Sequence, residues 1–325
     1  MKNLIFYFVF IVRKFFSMLG YIIISEKVHQ NILSQRANAV NTLIEKEKTC
    51  LESGLVCVIF SKDRALQLYT LLDTYYQHVK NPAPVIVIYS TSSNEHAQAY
   101  SELQSTYALI NADIQFIPEV KSFRHALIEV LANIRVSSIF FLVDDIIFIR
   151  PLDLGVVTKI DPQQAVLSLR HSPHLKRSYT AGSKQLPPIF SSSVISSDLL
   201  EFEWFEKGHE WSDPWSVDGQ VLSTAEVRVL TRISKFKAPN SYEAVLKSFN
   251  DIVQGRKGIC FKESKILNLP INRVQNENNN LSGEVSPDFL LMQWNKGLMI
   301  DTSIFDEHIP LAPHEEHKIV FRKKK

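Results

Sequence analysis

The stretch FFLVDDIIFIRP (Phe140–Pro151) sets two adjacent aspartates between two apolar runs. The apolar run before them predicts a buried β-strand that ends at Asp144 and Asp145. Two neighbouring carboxylates repel each other and resist burial, and a divalent cation such as Mn2+ or Mg2+ relieves both effects. The pattern therefore predicts a cation-bound phosphate site at the end of this strand. An ordinary acidic turn is the alternative interpretation, and the apolar residues that follow count against it.

Apolar runs and helical patterns alternate along the sequence that leads up to this stretch. Short β-branched runs are typical of buried parallel strands, and such runs alternating with helices predict an α/β fold with a mostly parallel central sheet. The predicted strands are Leu55–Phe60, Val85–Tyr89, Ile114–Ile117 and Ser138–Val143, and the predicted helices are Ala65–Val79, Glu95–Tyr107 and Phe123–Ile134. After Pro151 the pattern is less regular, with short strands predicted at Ala165–Leu169 and Val194–Ser196.

Polar segments follow three of these strands, at Ser61–Arg64, at Ser90–Asn94 and at Asp144-Asp145. Ligands of open α/β sheets bind at the carboxyl ends of the strands. We therefore expect the three segments to lie at one edge of the sheet.

Charge and cysteine content count against several classes of protein. The formal net charge of the 325 residues is +2, so no broad basic field indicates a nucleic-acid partner. The three cysteines, Cys50, Cys57 and Cys260, have no paired spacing, which argues against a disulfide framework and against a zinc knuckle. A reducing compartment, the cytosol, is expected.

The N-terminal segment is unusually apolar. Leu4–Val12 and Phe15–Ile24 flank the cations Arg13 and Lys14. A cation at the centre of a membrane span costs roughly 2.5–3.5 kcal/mol, so we expect a helix in the membrane interface or a core-packing helix rather than a span. The predicted organisation is a helical segment over 1–50 and one domain over 51–325. That domain is predicted to have two halves, 51–155 and 156–325. The expected location is cytoplasmic, peripheral at the inner face of the plasma membrane.

FFLVDDIIFIRP resembles the aspartate motif of GT-A-fold glycosyltransferases, in which a strand ends in Asp-x-Asp or a variant. On that pattern Val143 replaces the first aspartate, Asp144 is the middle residue and Asp145 the last. The resemblance implies that Asp145 ligates the cation that binds the donor diphosphate. It also implies that Asp144 is a second ligand or a ribose contact. The departure at Val143 removes the donor contact normally made there.

Two earlier segments resemble the first two strand–loop units of the same enzymes, at Val56–Leu72 and Val85–Tyr100. The resemblance implies that the nucleotide-sugar donor is bound by Phe60, Ser61, Arg64, Ser90 and, through its diphosphate, Arg124. For Asp63 and Arg64 the alternative is that Asp63 caps the following helix and Arg64 lies at the surface. For the Ser/Thr loop after the second strand the alternative is an ordinary turn.

A later segment, Trp211–Gln220, supplies the expected acceptor side. In inverting GT-A enzymes an acidic residue after the metal motif deprotonates the acceptor hydroxyl, and the resemblance implies Asp218 for this role, with Asp213 second. A carboxylate suits the role because it can be placed within hydrogen-bond reach of the hydroxyl. Trp211 and Trp215 are candidates to stack on a sugar ring; the alternative is a Trp-Pro corner of the core with a turn at Asp218-Gly219. The resemblance also implies a C-terminal histidine, His314 or His317, as a third metal ligand.

The sequence lacks the GxGxxG, GxxxxGK[ST], HExxH and GxSxG motifs, which removes the anchors of several other enzyme classes. We expect a transferase that moves a sugar from a nucleotide-diphosphate-sugar to a glycan or lipid-linked acceptor hydroxyl, in polysaccharide biosynthesis, with Mn2+ or Mg2+. Two alternatives remain open. One is a nucleotidyltransferase, which would usually carry a Gly-rich basic loop where Phe60–Arg64 has no glycine. The other is a non-catalytic sugar- or membrane-binding relative.

Overall fold

A computed structural model describes residues 2–179, 181–204, 209–253, 255–272 and 285–324. The chain forms two compact units, Met1–Leu43 and Ile44–Lys325. The first contains helix α1 (Lys2–Met18) and most of α2 (Glu26–Lys48). Of the helices described, none is both long and apolar enough to cross a membrane.

Strands and helices alternate in the first half of the second unit, as the apolar pattern predicts. They are β1 (Glu52–Lys62), α3 (Ala65–His78), β2 (Val79–Lys80), β3 (Val85–Ser90), α4 (Asn94–Leu109), β4 (Ile114–Pro118), α5 (Phe123–Asn133) and β5 (Val136–Val143). The four strands predicted before Asp144 lie within β1, β3, β4 and β5. The α/β prediction is therefore confirmed in this half.

Shorter elements make up the second half. The strands are β6 (Ile146–Phe148), β7 (Leu152–Asp153), β8 (Ala165–Ser168), β9 (Arg177–Ser178), β10 (Ser183–Lys184), β11 (Ser191–Ser192), β12 (Leu199–Glu203), β13 (Gln220–Ser223), β14 (Lys257–Phe261), β15 (Ile266–Asn268), β16 (Leu298–Ile300) and β17 (Phe321–Lys323). The helices are α6 (Leu154–Val157), α7 (Thr224–Ile233), α8 (Pro239–Lys247) and α9 (Pro287–Asn295), with 3-10 turns at His209–Ser212, Asn250–Ile252 and Ser303–Phe305.

The strand predicted at Val194–Ser196 is wrong. Serine side chains form local turns there: Ser193 Oγ accepts from the Ile195 N–H and Ser196 Oγ from the Asp198 N–H, both at 3.3 Å. Such turns compete with strand pairing, and the strand β12 begins only at Leu199.

The described strands include a large central sheet with the order β11-β12-β14-β8-β13-β5-β1-β3-β4. The pairs β5-β1, β1-β3 and β3-β4 are parallel, whereas β13 runs antiparallel between β5 and β8. All residues from Leu55 to Ser61 are buried. Because neighbouring residues of a strand point to opposite faces, β1 is covered on both faces of the sheet.

Helix caps and one strained residue fix the loops at the carboxyl edge. Ser93 Oγ accepts from the His96 N–H and Ser122 Oγ from the His125 N–H, so α4 and α5 begin at serine caps. Asp63 has φ +55° and does not cap α3; its Oδ1 accepts from the Ser92 N–H at 2.7 Å. That bond joins the loop after β1 to the loop after β3.

Candidate functional site

Asp144 joins the ends of β1 and β5. Its Oδ2 accepts from Ser61 Oγ at 2.8 Å and from the Lys62 N–H at 3.0 Å, and its Oδ1 accepts from Arg64 Nη1 at 2.7 Å. Asp144 and Arg64 are both buried. Both carboxylate oxygens of Asp144 are thus engaged by the protein, in a position that holds the loop after β1 in place.

Asp145 lies beside it with less compensation of its charge. Its Oδ1 accepts from Asn268 Nδ2 at 2.9 Å, and its Oδ2 lies 3.3 Å from Arg64 Nη1. Burial, together with the charges of Asp144 and Asp218, raises the pKa of Asp145 to about 6, although Arg64 and His314 act in the opposite direction. Burial is the largest of these causes, so the raised pKa reflects mainly the cost of holding this charge away from water.

Asp218 is held in its charged form. Its Oδ2 lies 3.2 Å from His314 Nε2 and 3.5 Å from Arg170 Nη1. Burial acts to raise the pKa of Asp218, but the hydrogen bond and charge of His314, with Arg170 and Lys247, outweigh it and lower the pKa. Burial acts to lower the pKa of His314, and Asp218 outweighs it and raises the pKa. The two side chains form a carboxylate–imidazole pair in which Asp218 is buried and His314 is partly exposed.

Gly219 allows the turn that presents Asp218. Its φ is +84°, which favours glycine, and a Cβ there would lie 2.4 Å from Ile266 Cδ1 and 3.2 Å from Leu169 Cβ. Its N–H donates to Phe141 O at 2.8 Å, and its carbonyl accepts from the Leu169 N–H at 3.0 Å. The turn is thereby fixed against β5.

Arg170 is a buried residue that sequence reasoning missed. Its guanidinium contacts Asp218 at 3.5 Å, Glu210 at 3.6 Å and Asp213 at 3.9 Å, and Lys247 adds a 2.7 Å ion pair to Asp213. The signal in the sequence was an Arg-His pair directly after the predicted strand Ala165–Leu169. Among the described residues the region holds more carboxylates than permanent cations: Asp144, Asp145, Glu210, Asp213, Asp218 and Glu243 against Arg64, Arg170 and Lys247.

Three aromatic residues predicted to meet ligands have buried rings. Phe60 packs with Phe123 at 4.9 Å and Phe141 at 5.3 Å between ring centroids. Trp211 and Trp215 are fully buried. In this conformation no face of either indole is exposed to a sugar, and the predicted donor and acceptor contacts would require these clusters to open.

Two polar residues predicted to bind the donor, Arg124 and Ser90, make contacts with the backbone of other segments. Arg124 donates to the carbonyls of Ser234 at 2.8 Å and Arg232 at 3.0 Å, which ties α5 to the end of α7. Ser90 ends β3, and its carbonyl accepts from the Asp63 N–H at 3.2 Å. Their roles toward a donor stay predictions.

A cleft of about 630 Å3 opens beside the His314–Asp218 pair. Its walls include the cations Arg177 and Lys184, the ring of Tyr179, and four residues of the segment 308–317: His308, His314, Glu315 and His317. Because His314 lines the cleft and bonds Asp218, it connects this open space to the buried acids.

No protein-family model matches the chain, and no curated protein does. Solved structures that resemble it include the apo form of the bifunctional glycosyltransferase WbbM (TM-score 0.35, 14% identity, 61% of this chain and 38% of that one). A second is 4-diphosphocytidyl-2C-methyl-D-erythritol synthase from Anaerococcus prevotii DSM 20548 (TM-score 0.37, 11% identity, 70% of this chain and 95% of that one). A third is GalNAc-T7 with UDP, GalNAc and Mn2+ (TM-score 0.45, 11% identity, 72% of this chain and 45% of that one).

The chain spans less than half the length of the WbbM and GalNAc-T7 chains. At such TM-scores and identities these similarities decide neither family nor activity. The function has to be inferred from the site itself.

Proposed function

We propose that this chain is a cation-assisted glycosyltransferase that moves a sugar from a nucleotide-diphosphate-sugar to a hydroxyl of a glycan or lipid-linked acceptor. The observation that carries the proposal is the meeting of Asp144, Asp145, Asp218 and His314 at the carboxyl edge of the sheet. The adjacent pair Asp144-Asp145 is far in sequence from Asp218 and His314, and burying charged groups together costs free energy, so such clusters are found preferentially at functional sites.

The residues around Asp145 include donors of the kinds that divalent cations take. Asp145 offers a carboxylate whose charge is incompletely balanced. Two further buried donor atoms, His314 Nδ1 and Asn268 Oδ1, have no hydrogen-bond partner within the described ranges. Oxygen donors with one imidazole suit Mn2+, and oxygen donors alone suit Mg2+. We assign the cation to Asp145, with His314 and Asn268 as further ligands. Asp144, the adjacent residue, adds negative charge beside the cation. When bound, the cation supplies charge neutralisation of the leaving diphosphate.

The chain's own side chains perform the remaining steps. Arg64, positively charged beside both aspartates, favours binding of the diphosphate. Asp218 stays ionised because His314 and Arg170 hold its pKa down. We assign it the role of base in an inverting reaction, where an ionised carboxylate within hydrogen-bond reach can accept the proton of the attacking hydroxyl. In a retaining reaction Asp218 instead stabilises the positive charge that develops on the sugar.

Donor binding and transfer give the direct test. The thermal shift of the full chain is measured with UDP-, GDP- and CMP-sugars, with and without Mn2+, followed by a transfer assay that detects the released nucleotide. We expect a Mn2+-dependent shift with one donor, its loss in Asp145→Asn, and transfer abolished in Asp218→Asn. Asp288→Asn, at a side chain that is 92% exposed, is the matched control and should behave as wild type.

Other outcomes would overturn the proposal. If Asp145→Asn still binds the donor with the full Mn2+ dependence of wild type, Asp145 is not a ligand of the cation. Release of pyrophosphate from a nucleoside triphosphate, in place of a nucleotide from a sugar donor, assigns the chain to the nucleotidyltransferases. Donor binding with no transfer to any acceptor identifies a non-catalytic relative.

We further propose that α1 rests in a membrane interface, where a lipid-linked acceptor would be found. Its apolar side chains Phe10 and Ile11 are more than half exposed, and Arg13 and Lys14 are placed to meet anionic headgroups. The full chain should float with vesicles containing phosphatidylglycerol, and Phe10→Ser/Ile11→Ser should abolish flotation. The control pair Ile189→Ser/Val194→Ser, exposed in the second unit, should not; equal flotation of both variants contradicts the proposal.

A further inference from the structure

Two histidines and a glutamate converge in the wall of the cleft, apart from the aspartates. Glu315 Oε2 lies 2.6 Å from His308 Nε2 and 3.1 Å from His317 Nε2. Among the described residues these three form a group whose potential ligand atoms all lie within 4.8 Å of one another. The two imidazole rings are 5.0 Å apart and nearly perpendicular, so both nitrogens face the same carboxylate oxygen.

The surroundings hold this arrangement in place. The other carboxylate oxygen of Glu315, Oε1, accepts from the N–H groups of Leu311 at 2.7 Å and Ala312 at 3.2 Å. That anchoring leaves Oε2 directed at the histidines. Oriented ligands of this kind are the usual support of a protein metal site.

The histidines are fixed as well. Arg150 Nη2 donates to the carbonyl of His308 at 2.7 Å. The buried ring of Phe305 packs against His308 at 6.0 Å and against His317 at 5.0 Å between centroids. Backbone and rings on both sides of the cluster are therefore held before any ion binds.

We propose that His308, Glu315 and His317 bind a transition-metal ion of the Zn2+ class, separate from the cation assigned to Asp145. Two imidazoles with one carboxylate suit Zn2+, whereas Mg2+ and Ca2+ prefer sites built from oxygen alone. Bonds of about 2.0–2.1 Å in a tetrahedral zinc site set ligand atoms roughly 3.4 Å apart. The observed separations of 2.6 and 3.1 Å need only a small outward movement to reach that spacing.

Three protein ligands leave one coordination position for water or substrate, as in zinc sites with an open position. All three side chains are partly exposed and line the cleft, so the open position is on the side of the cleft. A negatively charged group of a ligand in the cleft would meet the ion there.

The ion would also steady the segment that carries His314. His314 lies between the ligands, next to Glu315, and reaches Asp218 at 3.2 Å. Glu316, the next residue, accepts a hydrogen bond from Tyr179 across the cleft. A bound ion would cross-link 308 to 317 and so restrict the movement of His314.

Metal binding can be measured without any assay of transfer. The full chain, without a polyhistidine tag, is stripped with a chelator and titrated with Zn2+ by calorimetry, and bound zinc is quantified by elemental analysis. We expect one zinc per chain. The Co2+-loaded protein should show the intense visible absorption of a four-coordinate site rather than the weak absorption of a six-coordinate one.

Variants locate the ion. Zinc should be lost in His317→Ala and in Glu315→Gln, with His308→Gln as a third variant should one of them fail to fold by circular dichroism. It should be retained in the controls His125→Ala, a partly exposed histidine on α5, and Glu307→Gln, an exposed neighbour of His308. It should be retained in Asp145→Asn too.

The proposal is overturned by wild-type protein that binds no stoichiometric zinc, or by folded His317→Ala that binds it as tightly as wild type. Zinc lost in Asp145→Asn but kept in His317→Ala would place the ion at the aspartates instead. Because none of these readouts uses sugar transfer, failure of the zinc site and failure of the proposed function are distinguished.

Discussion

Replacement of Gly219 by alanine tests whether the turn beside Asp218 depends on close packing. The new Cβ would lie 2.4 Å from Ile266 Cδ1 and 3.2 Å from Leu169 Cβ, in a backbone with φ +84°. A left-handed conformation costs a non-glycine residue about 1–2 kcal/mol. Forcing a methyl group into filled space adds about 1–3 kcal/mol. We expect Gly219→Ala to lower the free energy of unfolding by about 2–5 kcal/mol.

A second glycine provides the matched control. Gly255 has φ +82°, and a Cβ there would have no neighbour within 4 Å among the described residues. Gly255→Ala should therefore lose only the backbone contribution, about 1–2 kcal/mol. The difference between the two variants in urea denaturation gives the contribution of packing at Gly219.

A double mutant identifies the atom responsible. Ile266→Val removes the Cδ1 that the new methyl would meet and by itself costs about 0.5–1.5 kcal/mol. Gly219→Ala/Ile266→Val should then be less destabilised than the sum of the single variants. Because Asp218 precedes Gly219, sugar transfer should fall more in Gly219→Ala than in Gly255→Ala and should partly recover in the double mutant. Equal destabilisation of the two glycine variants, or simple additivity with Ile266→Val, would refute the packing argument.

The acid pair supports further predictions. With divalent cations removed, stability to urea should fall as pH rises from about 4 through 6, because the pKa of Asp145 is raised from 3.8 to about 6 in the folded state; two units correspond to about 3 kcal/mol. Asp145→Asn should flatten this dependence relative to wild type, and an unchanged slope contradicts the assignment. Arg64→Met should cost about 3–5 kcal/mol, since it leaves buried Asp144 without a cationic partner. The partly exposed Arg322→Met should cost about 1 kcal/mol or less. If a denaturation assay gives similar losses in the free energy of unfolding for Arg64→Met and Arg322→Met, the ion pair of Arg64 with Asp144 does not stabilise the site. Adding Mn2+ at pH 7 should raise the melting temperature of wild type more than that of Asp145→Asn, and an equal rise would place the ion elsewhere.

Local pattern was enough to predict the half of the sheet that ends at the acid pair. The apolar runs at Leu55–Phe60 and Ser138–Val143 were predicted as buried parallel strands because a continuous apolar run is typical of a strand covered on both faces. Asp144 and Asp145 follow the second run directly, so their place at the carboxyl edge was predicted with it. That these two strands are neighbours in the sheet is a finding of the structure.

The meeting of Asp218, His314 and Arg170 could not be predicted in this way. It depends on β13 entering between β5 and β8 in antiparallel orientation, and no periodicity specifies that partner. The aromatic residues show a second limit. The sequence around a tryptophan does not distinguish an indole that packs in the core from one that stacks on a sugar. Trp211, predicted to stack on a sugar, is fully buried.

The position of β13 has a consequence for the order of events during synthesis. The strands β4, β3, β1 and β5 are complete by Val143, but the strand that covers the other edge of β5 ends at Ser223. Until then the growing chain presents an unpaired edge that includes Phe140 and Phe141, and such edges recruit other chains. We expect the nascent first half to need a chaperone on the ribosome.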